Sequence, residues 1–236
     1  MVRKLYVSII RALRIFADKV GLLFWLERHR DRPSLLYIRS LFSIYDAADM
    51  ARLDLPWWTF EATRQVEEFL LQRGGMASVF EYGPGASTVW LSKRAHRVAY
   101  VEHDAGFFPV VEQLTFGTGN VEGVLVAPAP CKAGSALCPS GRKGYEECDF
   151  SAYVSAIRNA EGPFDLIVVD GRARSFCLSE AVKHLNEDGI ILFDNSCRKR
   201  YQSAIAASGL DPQVCKGLAP ALPYPEETTI LRLVKK

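Results

Sequence analysis

The stretch VFEYGPGAST, residues 79–88, decides how this sequence is interpreted. A short apolar run meets an acid, Glu81, and two glycines one residue apart follow it. Glycines let the chain turn sharply and let a ligand approach the backbone without a Cβ in the way. A helix that begins at Ser87 or Thr88 presents free N–H groups to that ligand. We therefore predict a strand, a loop and a helix, with ligand contacts from Glu81, Tyr82, Gly83, Gly85, Ser87 and Thr88.

Apolar strand candidates follow one another from residue 76 onward, and helix-like segments separate most of them. Strands that are apolar almost throughout and alternate with helices indicate a parallel sheet covered on both faces. Only a Pro-rich loop joins the last two candidates, so we expect them to pair antiparallel at one edge. The prediction is an α/β fold, a seven-stranded, mostly parallel, doubly wound sheet over residues 76–236, preceded by a helical extension over residues 1–75. The candidates are ASVFEY (77–82), RVAYVE (97–102), GVLVA (123–127), FDLIVVD (164–170), GIILFD (189–194), PQVCKGLA (212–219) and TTILRLV (228–234).

Carboxylates end four of these strands, at Glu81, Glu102, Asp170 and Asp194. Ligands of doubly wound sheets bind at the carboxyl ends of the strands, where these acids would meet. Glu102 ends the strand that follows Glu81 and can accept two hydrogen bonds from a ribose diol. A dinucleotide fingerprint needs a third glycine, which GPGAST lacks, and Glu81 would repel a pyrophosphate but attract a sulfonium and an amino group. The pattern favours S-adenosylmethionine over NAD, with a nicotinamide-dependent oxidoreductase as the alternative.

Four segments, VFEYGPGAST, VAYVEHD, FDLIVVDGRAR and GIILFDNS, resemble the successive motifs of class I S-adenosylmethionine-dependent methyltransferases. The resemblance covers residues 76–234 and implies that family's strand order, 3-2-1-4-5-7-6, with the last strand antiparallel. In this comparison Glu81, Gly83 and Gly85 match the first motif, and Glu102 matches the ribose-binding acid. His103, directly after that acid, either contacts the adenosine or lies at the surface.

Asp170 is the first candidate for a general base, since an oxygen nucleophile must lose its proton during methyl transfer. The pattern VVDG…FDN also resembles the metal-binding triad of catechol-type and caffeoyl-type O-methyltransferases. That resemblance implies a site for Mg²⁺ or another divalent cation at Asp170, Asp194 and Asn195, whose oxygens suit a hard ion. The alternative is that Asp170 orients substrate or loop backbone and that the sequence DNS caps the following helix.

We expect the least family-like parts of the chain to bind the methyl acceptor: residues 128–148 and the loop 217–227, with Trp57 and Trp58 as further candidates, although a buried helix start explains the two tryptophans as well. Arg172 and Arg174 lie at the expected mouth of the cleft, where they either bind an anionic substrate or form a solvated helix start. Tyr201, after the basic run 198–200, is expected to line the same mouth. The Gly-, Pro- and Cys-rich stretch 128–148 is too long for a tight turn and is expected to be a lid. The predicted activity is O-methylation of a small-molecule or glycan-type acceptor.

Residues 2–26 have the periodicity of one amphipathic helix, and further helices are predicted over residues 34–50 and 59–73. A basic amphipathic helix binds a membrane surface through its apolar face, or it packs on the domain or on a second subunit. A third interpretation of the whole chain is a non-catalytic, membrane-docked binding protein. The apolar face holds Leu5, Ile9, Leu13, Phe16, Val20 and Leu23, and the basic face holds Arg3, Lys4, Arg11, Arg14 and Lys19.

Net charge and cysteine content indicate which classes of partner and which compartment to expect. The 236-residue chain has a formal net charge of +2, so no global bias toward nucleic acid is visible and no nucleic-acid partner is expected. Six cysteines without a CxxC pair indicate reduced thiols in a cytoplasmic protein. A zinc site or a disulfide within residues 131–148 is the alternative. Attachment through residues 2–26 would place the protein peripherally at the inner membrane surface.

Overall fold

A seven-stranded sheet forms the centre of the computed structural model, which describes residues 2–234, with side chains from residue 6 onward. Its strands are β1 (Ser78–Tyr82), β2 (Arg97–Glu102), β3 (Val121–Leu125), β6 (Phe164–Val169), β7 (Leu185–Asp194), β8 (Leu210–Leu218) and β9 (Pro225–Leu233), while β4 (Ala129–Pro130) and β5 (Cys148–Asp149) form a separate small ladder. The strand order is β3-β2-β1-β6-β7-β9-β8, and β9 runs antiparallel to both of its neighbours. The predicted fold class and strand order are therefore confirmed.

Helices cover both faces of this sheet, because successive strand residues point to opposite sides. Val79 packs with the helix residues Val66 and Trp90 on one face, whereas its neighbour Phe80 packs with Tyr153 on the other. The helices are α1 (Val2–Lys19), α2 (Leu22–Arg28), α3 (Pro33–Ser40), α4 (Ala47–Arg52), α5 (Phe60–Gln72), α6 (Ala86–Ser92), α7 (Phe108–Leu114), α8 (Ser151–Ser155), α9 (Arg174–Ala181) and α10 (Lys199–Ala207).

The N-terminal extension is broken more often than predicted. The single helix expected over residues 2–26 is two helices, because Gly21 adopts a left-handed conformation with φ of 73° that interrupts α-helical geometry. The helix expected over residues 34–50 was also wrong in extent, since α3 passes into a short 3₁₀ turn and Tyr45, with φ of 54°, separates that turn from α4. The helix expected over residues 59–73 is confirmed as α5.

The face of α1 that contacts the protein is not the apolar face that the periodicity indicated. Ala17 is buried, and Arg14 points inward to form ion pairs with Asp46 and Asp49 at 2.7 and 3.1 Å. Phe16 is 65% exposed, and Ile9, Leu13 and Val20 of the predicted apolar face also point outward, as does Ile15, whereas Leu23 of that face is buried in α2. The predicted positions of Arg3, Lys4 and Leu5 lie outside the described side chains. Within the described chain, every helix is too short or too polar to cross a bilayer.

The stretch 128–148 folds back toward the carboxyl ends of the strands. Its two ends pair as β4 and β5, and the Asp149 carboxylate accepts hydrogen bonds from the N–H groups of Leu137, Cys138 and Ser151. The six cysteines of the chain are free thiols. Among the described residues, no group of three or more His, Cys, Asp or Glu side chains is arranged to hold a metal ion. Whether this stretch acts as a lid stays a prediction.

Candidate active site at the carboxyl ends of the strands

The carboxyl ends of the central strands lie level with one another. Tyr82 at the end of β1 pairs with Val101 of β2 and with Val169 of β6. Val169 in turn pairs with Phe193 of β7. Because the strand ends are in register, the four acids singled out in the sequence reach one edge of the sheet. They are Glu81, Glu102, Asp170 and Asp194.

Position 83 requires glycine, because two loops approach each other closely there. Its φ is 84°, and a Cβ built there would lie 2.5 Å from the Cα of Gly171 in the loop after β6. A side chain at Gly85 would instead meet the Trp57 ring at 3.5 Å, which is an ordinary contact. Packing therefore explains Gly83 but not Gly85, which is buried against the Trp57 ring, and a ligand contact at Gly85 stays a prediction.

The carboxylate of Glu81 is fully buried beneath this loop. It accepts hydrogen bonds from the hydroxyls of Ser87 and Thr88 at 2.5 and 2.6 Å. Burial raises the pKa of Glu81 to about 8, the two hydroxyls oppose this, and the nearby charges of Asp170 and Glu102 reinforce it. A cation placed beside Glu81 would favour its ionised form.

Tyr82 contributes to this loop only through its backbone. The side chain is buried, and its hydroxyl donates a hydrogen bond to the Val154 carbonyl at 2.7 Å. This placement follows from strand alternation, since Glu81 and Tyr82 point to opposite sides of β1. The predicted contact of the Tyr82 side chain with a cofactor does not fit this position.

Glu102 is buried at the end of β2 and is held by the following turn. Its Oε1 accepts hydrogen bonds from the N–H groups of His103 and Asp104, both at 2.7 Å. The His103 ring lies within 6.0 Å, centroid to centroid, of three aromatic rings, those of Tyr145, Phe150 and Tyr153. The structure thus places His103 in an aromatic cluster beside the ribose-binding candidate.

Arg174 lies among the three residues that were predicted to bind a metal. Its Nη2 donates to Asp170 Oδ1 at 2.6 Å, and its Nη1 donates to Asn195 Oδ1 at 3.3 Å and lies 3.7 Å from Asp194 Oδ2. We call these four residues the Arg174 cluster. A guanidinium already provides the positive charge there, so the three oxygen side chains do not fit a divalent cation in this arrangement. Arg174 is not solvated, since its side chain is 6% exposed, although it lines the same cavity as Arg172 and Tyr201; whether it binds substrate stays a prediction.

Asp170 carries the most unusual carboxyl group of this cluster. Burial raises its pKa to about 7, the adjacent charge of Asp194 adds to the rise, and Arg174 opposes it. Its side chain keeps 20% of its surface exposed and lines a cavity of about 790 Å³, which we call the large cavity. Asp170 therefore lies at the boundary between a buried ion cluster and an open space.

The large cavity has an apolar and aromatic lining built from distant parts of the chain. Trp57, together with residues of α1, of the segment before α4 and of the loop before β9, faces Asp170 and Asn195 across it. Trp57 and the loop 217–227, which contributes Leu222 and Tyr224, were among the predicted acceptor-binding parts, and both line this cavity. Tyr6, Ile44 and Tyr45 were missed, because no periodic signal links single side chains of separate segments.

A smaller cavity of about 290 Å³ lies on the other side of Asn195 and Arg198, which line both cavities. Arg172 and Tyr201, two of the predicted substrate residues, line the small cavity. The structure thus brings them together, but beside the large cavity rather than in it. Ser140 from the stretch 128–148 also lines it and was not singled out from the sequence.

No protein-family model matches the sequence, and no curated protein matches it. Among solved structures, an O-methyltransferase from Bacillus cereus in complex with SAH superposes with a TM-score of 0.55 and 16% identity, covering 97% of this chain and 100% of that one. A precorrin-8w decarboxylase from Methanobacterium thermoautotrophicum superposes with a TM-score of 0.50 and 15% identity, covering 75% and 91%. Identities this low establish the fold alone. The chain therefore has the fold of the class I S-adenosylmethionine-dependent methyltransferases.

Proposed function

We propose that this protein is an S-adenosylmethionine-dependent methyltransferase that methylates an oxygen of a small-molecule or glycan-type acceptor. The observation that carries the proposal is the glycine loop set between two buried acids, Glu81 and Glu102, at level ends of adjacent strands. The likeness in fold to an O-methyltransferase crystallised with SAH supports the same conclusion.

The chain offers each part of the cofactor a matching group. Glu102 would accept hydrogen bonds from the ribose hydroxyls, and the aromatic cluster around His103 would contact the adenine ring. Glu81 would favour the cationic methionyl part. When bound, the cofactor supplies an electrophilic methyl group.

Asp170 is suited to remove the acceptor proton. A carboxyl group with a pKa near 7 is partly ionised at neutral pH and still basic enough to accept a proton from a hydroxyl. Arg174 holds one carboxylate oxygen of Asp170, which fixes the direction in which the other oxygen points. The apolar lining of the large cavity would exclude water from the acceptor, and alignment with the methyl group would supply much of the rate.

Calorimetry with S-adenosylhomocysteine tests the cofactor. We expect binding by the wild-type protein and loss of binding in Glu102→Ala, whereas Glu122→Ala, on the exposed face of β3, should bind normally. Transfer of a labelled methyl group from S-adenosylmethionine to a panel of hydroxylated acceptors then tests the reaction. Tight NAD binding without S-adenosylhomocysteine binding would replace this proposal with the oxidoreductase alternative.

We further propose that α1 and α2 hold the protein at the cytoplasmic surface of an anionic membrane. The supporting observation is the exposed apolar surface formed by Phe16, Val20, Phe24 and Trp25, all at least 47% exposed. Such side chains enter the boundary between headgroups and acyl chains, while nearby arginines and lysines meet the headgroups. Replacing Phe16, Phe24 and Trp25 with serine, which leaves Arg14 and Glu27 in place, should release the protein from anionic vesicles. Unchanged vesicle binding, or dissociation of a dimer instead, would reject the membrane role.

A further inference from the structure

The small cavity is lined by positive charge from three separate segments. Its lining includes Arg142 from the stretch 128–148, two arginines after β6 and two at the start of α10, and no acidic side chain. Arg174 is neutralised by Asp170. Among the described residues, no carboxylate lies within ion-pair distance of Arg172, Arg198 or Arg200. The fold therefore places Arg172, Arg198 and Arg200, none of them in an ion pair with a described carboxylate, around one small cavity.

Two buried polar atoms of this lining have no hydrogen-bond partner. Ser140 is 5% exposed and its Oγ makes no hydrogen bond, and the Nε of Arg172 is likewise buried and unsatisfied. Buried polar groups in native proteins nearly always find a partner, since leaving one unpaired costs about 1–3 kcal/mol. A hydroxyl and a guanidinium N–H that both await an acceptor indicate a ligand with several oxygens.

Arg172 and Arg200 are held in place by contacts other than ion pairs. Arg172 Nη1 donates to the Gly171 carbonyl at 3.4 Å. Arg200 donates to the Gly141 carbonyl at 3.3 Å and to the Tyr201 hydroxyl at 3.1 Å. The Arg172 guanidinium lies 5.6 Å from the centre of the Tyr145 ring. Carbonyls, a hydroxyl and an aromatic face orient the cations and leave their charge for a ligand.

We infer that the small cavity binds a phosphoryl group carried by the methyl acceptor, with Arg172, Arg198, Arg200 and Ser140 as its ligands. A phosphate monoester presents three oxygens and close to two negative charges, which match several guanidinium forks better than the single charge of a carboxylate. Because Asn195 and Arg198 line both cavities, one acceptor can place its phosphoryl group in the small cavity and its hydroxyl beside Asp170 in the large one. The inference rests on the proposed methyltransferase function.

Phosphate binding can be measured on the full chain saturated with S-adenosylhomocysteine, with inorganic phosphate and acetate as probes in calorimetric titrations. We expect phosphate to bind at least about tenfold more tightly than acetate. Arg172→Gln and Arg198→Gln should each weaken phosphate binding by about tenfold or more. Ser140→Ala should weaken it by about threefold to tenfold, and it should fold normally because this hydroxyl makes no bond within the chain. Lys199→Gln, beside Arg198 but outside the cavity lining, is the matched control and should change nothing.

The acceptor is tested by offering hydroxylated compounds in pairs with and without a phosphate ester. The phosphorylated member should be methylated preferentially, and Arg198→Gln should lower kcat/KM for that member alone. Equal binding of phosphate and acetate, or variants that bind phosphate like wild type, would overturn the inference. It is also overturned if the arginine variants weaken S-adenosylhomocysteine binding equally, since the cavity would then serve the cofactor carboxylate. Failure of S-adenosylhomocysteine to bind at all would instead remove the proposed function, and the phosphate titration on the chain alone would still test the cavity.

Discussion

Arg39 and Arg174 are both buried arginines set among carboxylates, yet their surroundings differ in charge balance. Arg39 donates to Glu27 at 2.7 Å and to Asp49 at 2.9 Å, and Arg14 and Arg52 add two more cations to the same acids. We call these five residues the Arg39 cluster. Hydrogen bonds from Arg52 and Arg39 lower the pKa of Glu27 to about 2, against the effect of burial. Burial acts upward on Asp49 as well, but hydrogen bonds from Arg39, Ser43 and Arg52 outweigh it and bring its pKa to about 2.

In the Arg174 cluster, by contrast, the carboxylates outnumber the guanidiniums. One guanidinium faces two carboxylates, and the pKa of Asp170 rises to about 7. The Arg39 cluster joins α2, α3 and α4 of the extension, whereas the Arg174 cluster adjoins the large cavity. A buried ion network in which cations outnumber the carboxylates keeps those carboxylates ionised and stabilises a fold, whereas a network with excess carboxylate beside a cavity holds a group ready for chemistry.

Among the changes considered, Asp170→Asn should reduce the rate of methyl transfer the most. Methyl transfer should fall by about 10²- to 10⁴-fold if Asp170 is the general base, because the amide cannot accept the proton. In the wild-type enzyme saturated with S-adenosylmethionine, kcat/KM for the acceptor should rise about tenfold per pH unit below pH 7 and level off above it, and the variant should lose this dependence. A variant that keeps the wild-type rate would assign the proton transfer to another group.

The pH dependence of the stability of the same variant independently tests the raised pKa of Asp170. Because the pKa of Asp170 is raised in the folded protein, the folded state keeps a proton that the unfolded chain releases between about pH 4 and pH 7. This group therefore lowers wild-type stability as pH rises through that window. Asp170→Asn should be more stable than wild type at pH 8 and similar at pH 4, as measured by thermal melting. A variant that is less stable at pH 8 would show that its ion pair with Arg174 outweighs the effect of burial.

Arg39→Met should be the most damaging change in the extension. Removing this guanidinium leaves buried carboxylates short of a partner, which typically costs about 3–5 kcal/mol in the free energy of unfolding. Urea denaturation at pH 7 measures the loss, and Arg64→Met, which removes exposed pairs on α5, should change little. Since the pKa values of Glu27 and Asp49 are lowered, their contribution is present above about pH 4 and fades as pH falls toward 2. A loss that stays constant over this range would point to packing rather than charge.

Cofactor affinity should depend on pH through Glu81. This carboxyl, with a pKa of about 8, must ionise to pair with a cationic methionyl group, so S-adenosylhomocysteine should bind more tightly as pH rises from 6 to 8, by up to about tenfold per unit. Calorimetry in buffers of different ionisation enthalpy should show proton release on binding. Glu102→Gln should weaken binding but keep the same pH slope. Binding that is independent of pH would remove Glu81 from the cofactor site.

Chelation should give the smallest effect. Because Arg174 supplies the positive charge among Asp170, Asp194 and Asn195, exhaustive treatment with EDTA should leave methyl transfer unchanged. Recovery of activity only after Mg²⁺ is restored would mean that the Arg174 cluster rearranges to admit a cation.

The sheet was predictable because its signals are local. Each central strand is an apolar run bounded by turn residues, and an acid at its end, or one residue to either side of it, is carried by the strand register to a common edge. Arg174 shows the limit of this reasoning. Its spacing of four residues from Asp170 was visible in the sequence, but its burial follows from the packing of α9 against β6 and β7, which aims the side chain at Asp194 and Asn195.

The sequence by itself determined the strands, their carboxylate ends and the loop at Gly83, because those features depend on neighbours along the chain. Only the tertiary structure decided which face of α1 is exposed, how the large cavity is walled, and that arginines from three segments surround Ser140. The physical reason is that burial and charge balance are properties of residues brought together from distant positions. The same amphipathic pattern fits either face of a helix until packing assigns it, and a cation is compensated only when a carboxylate lies within reach.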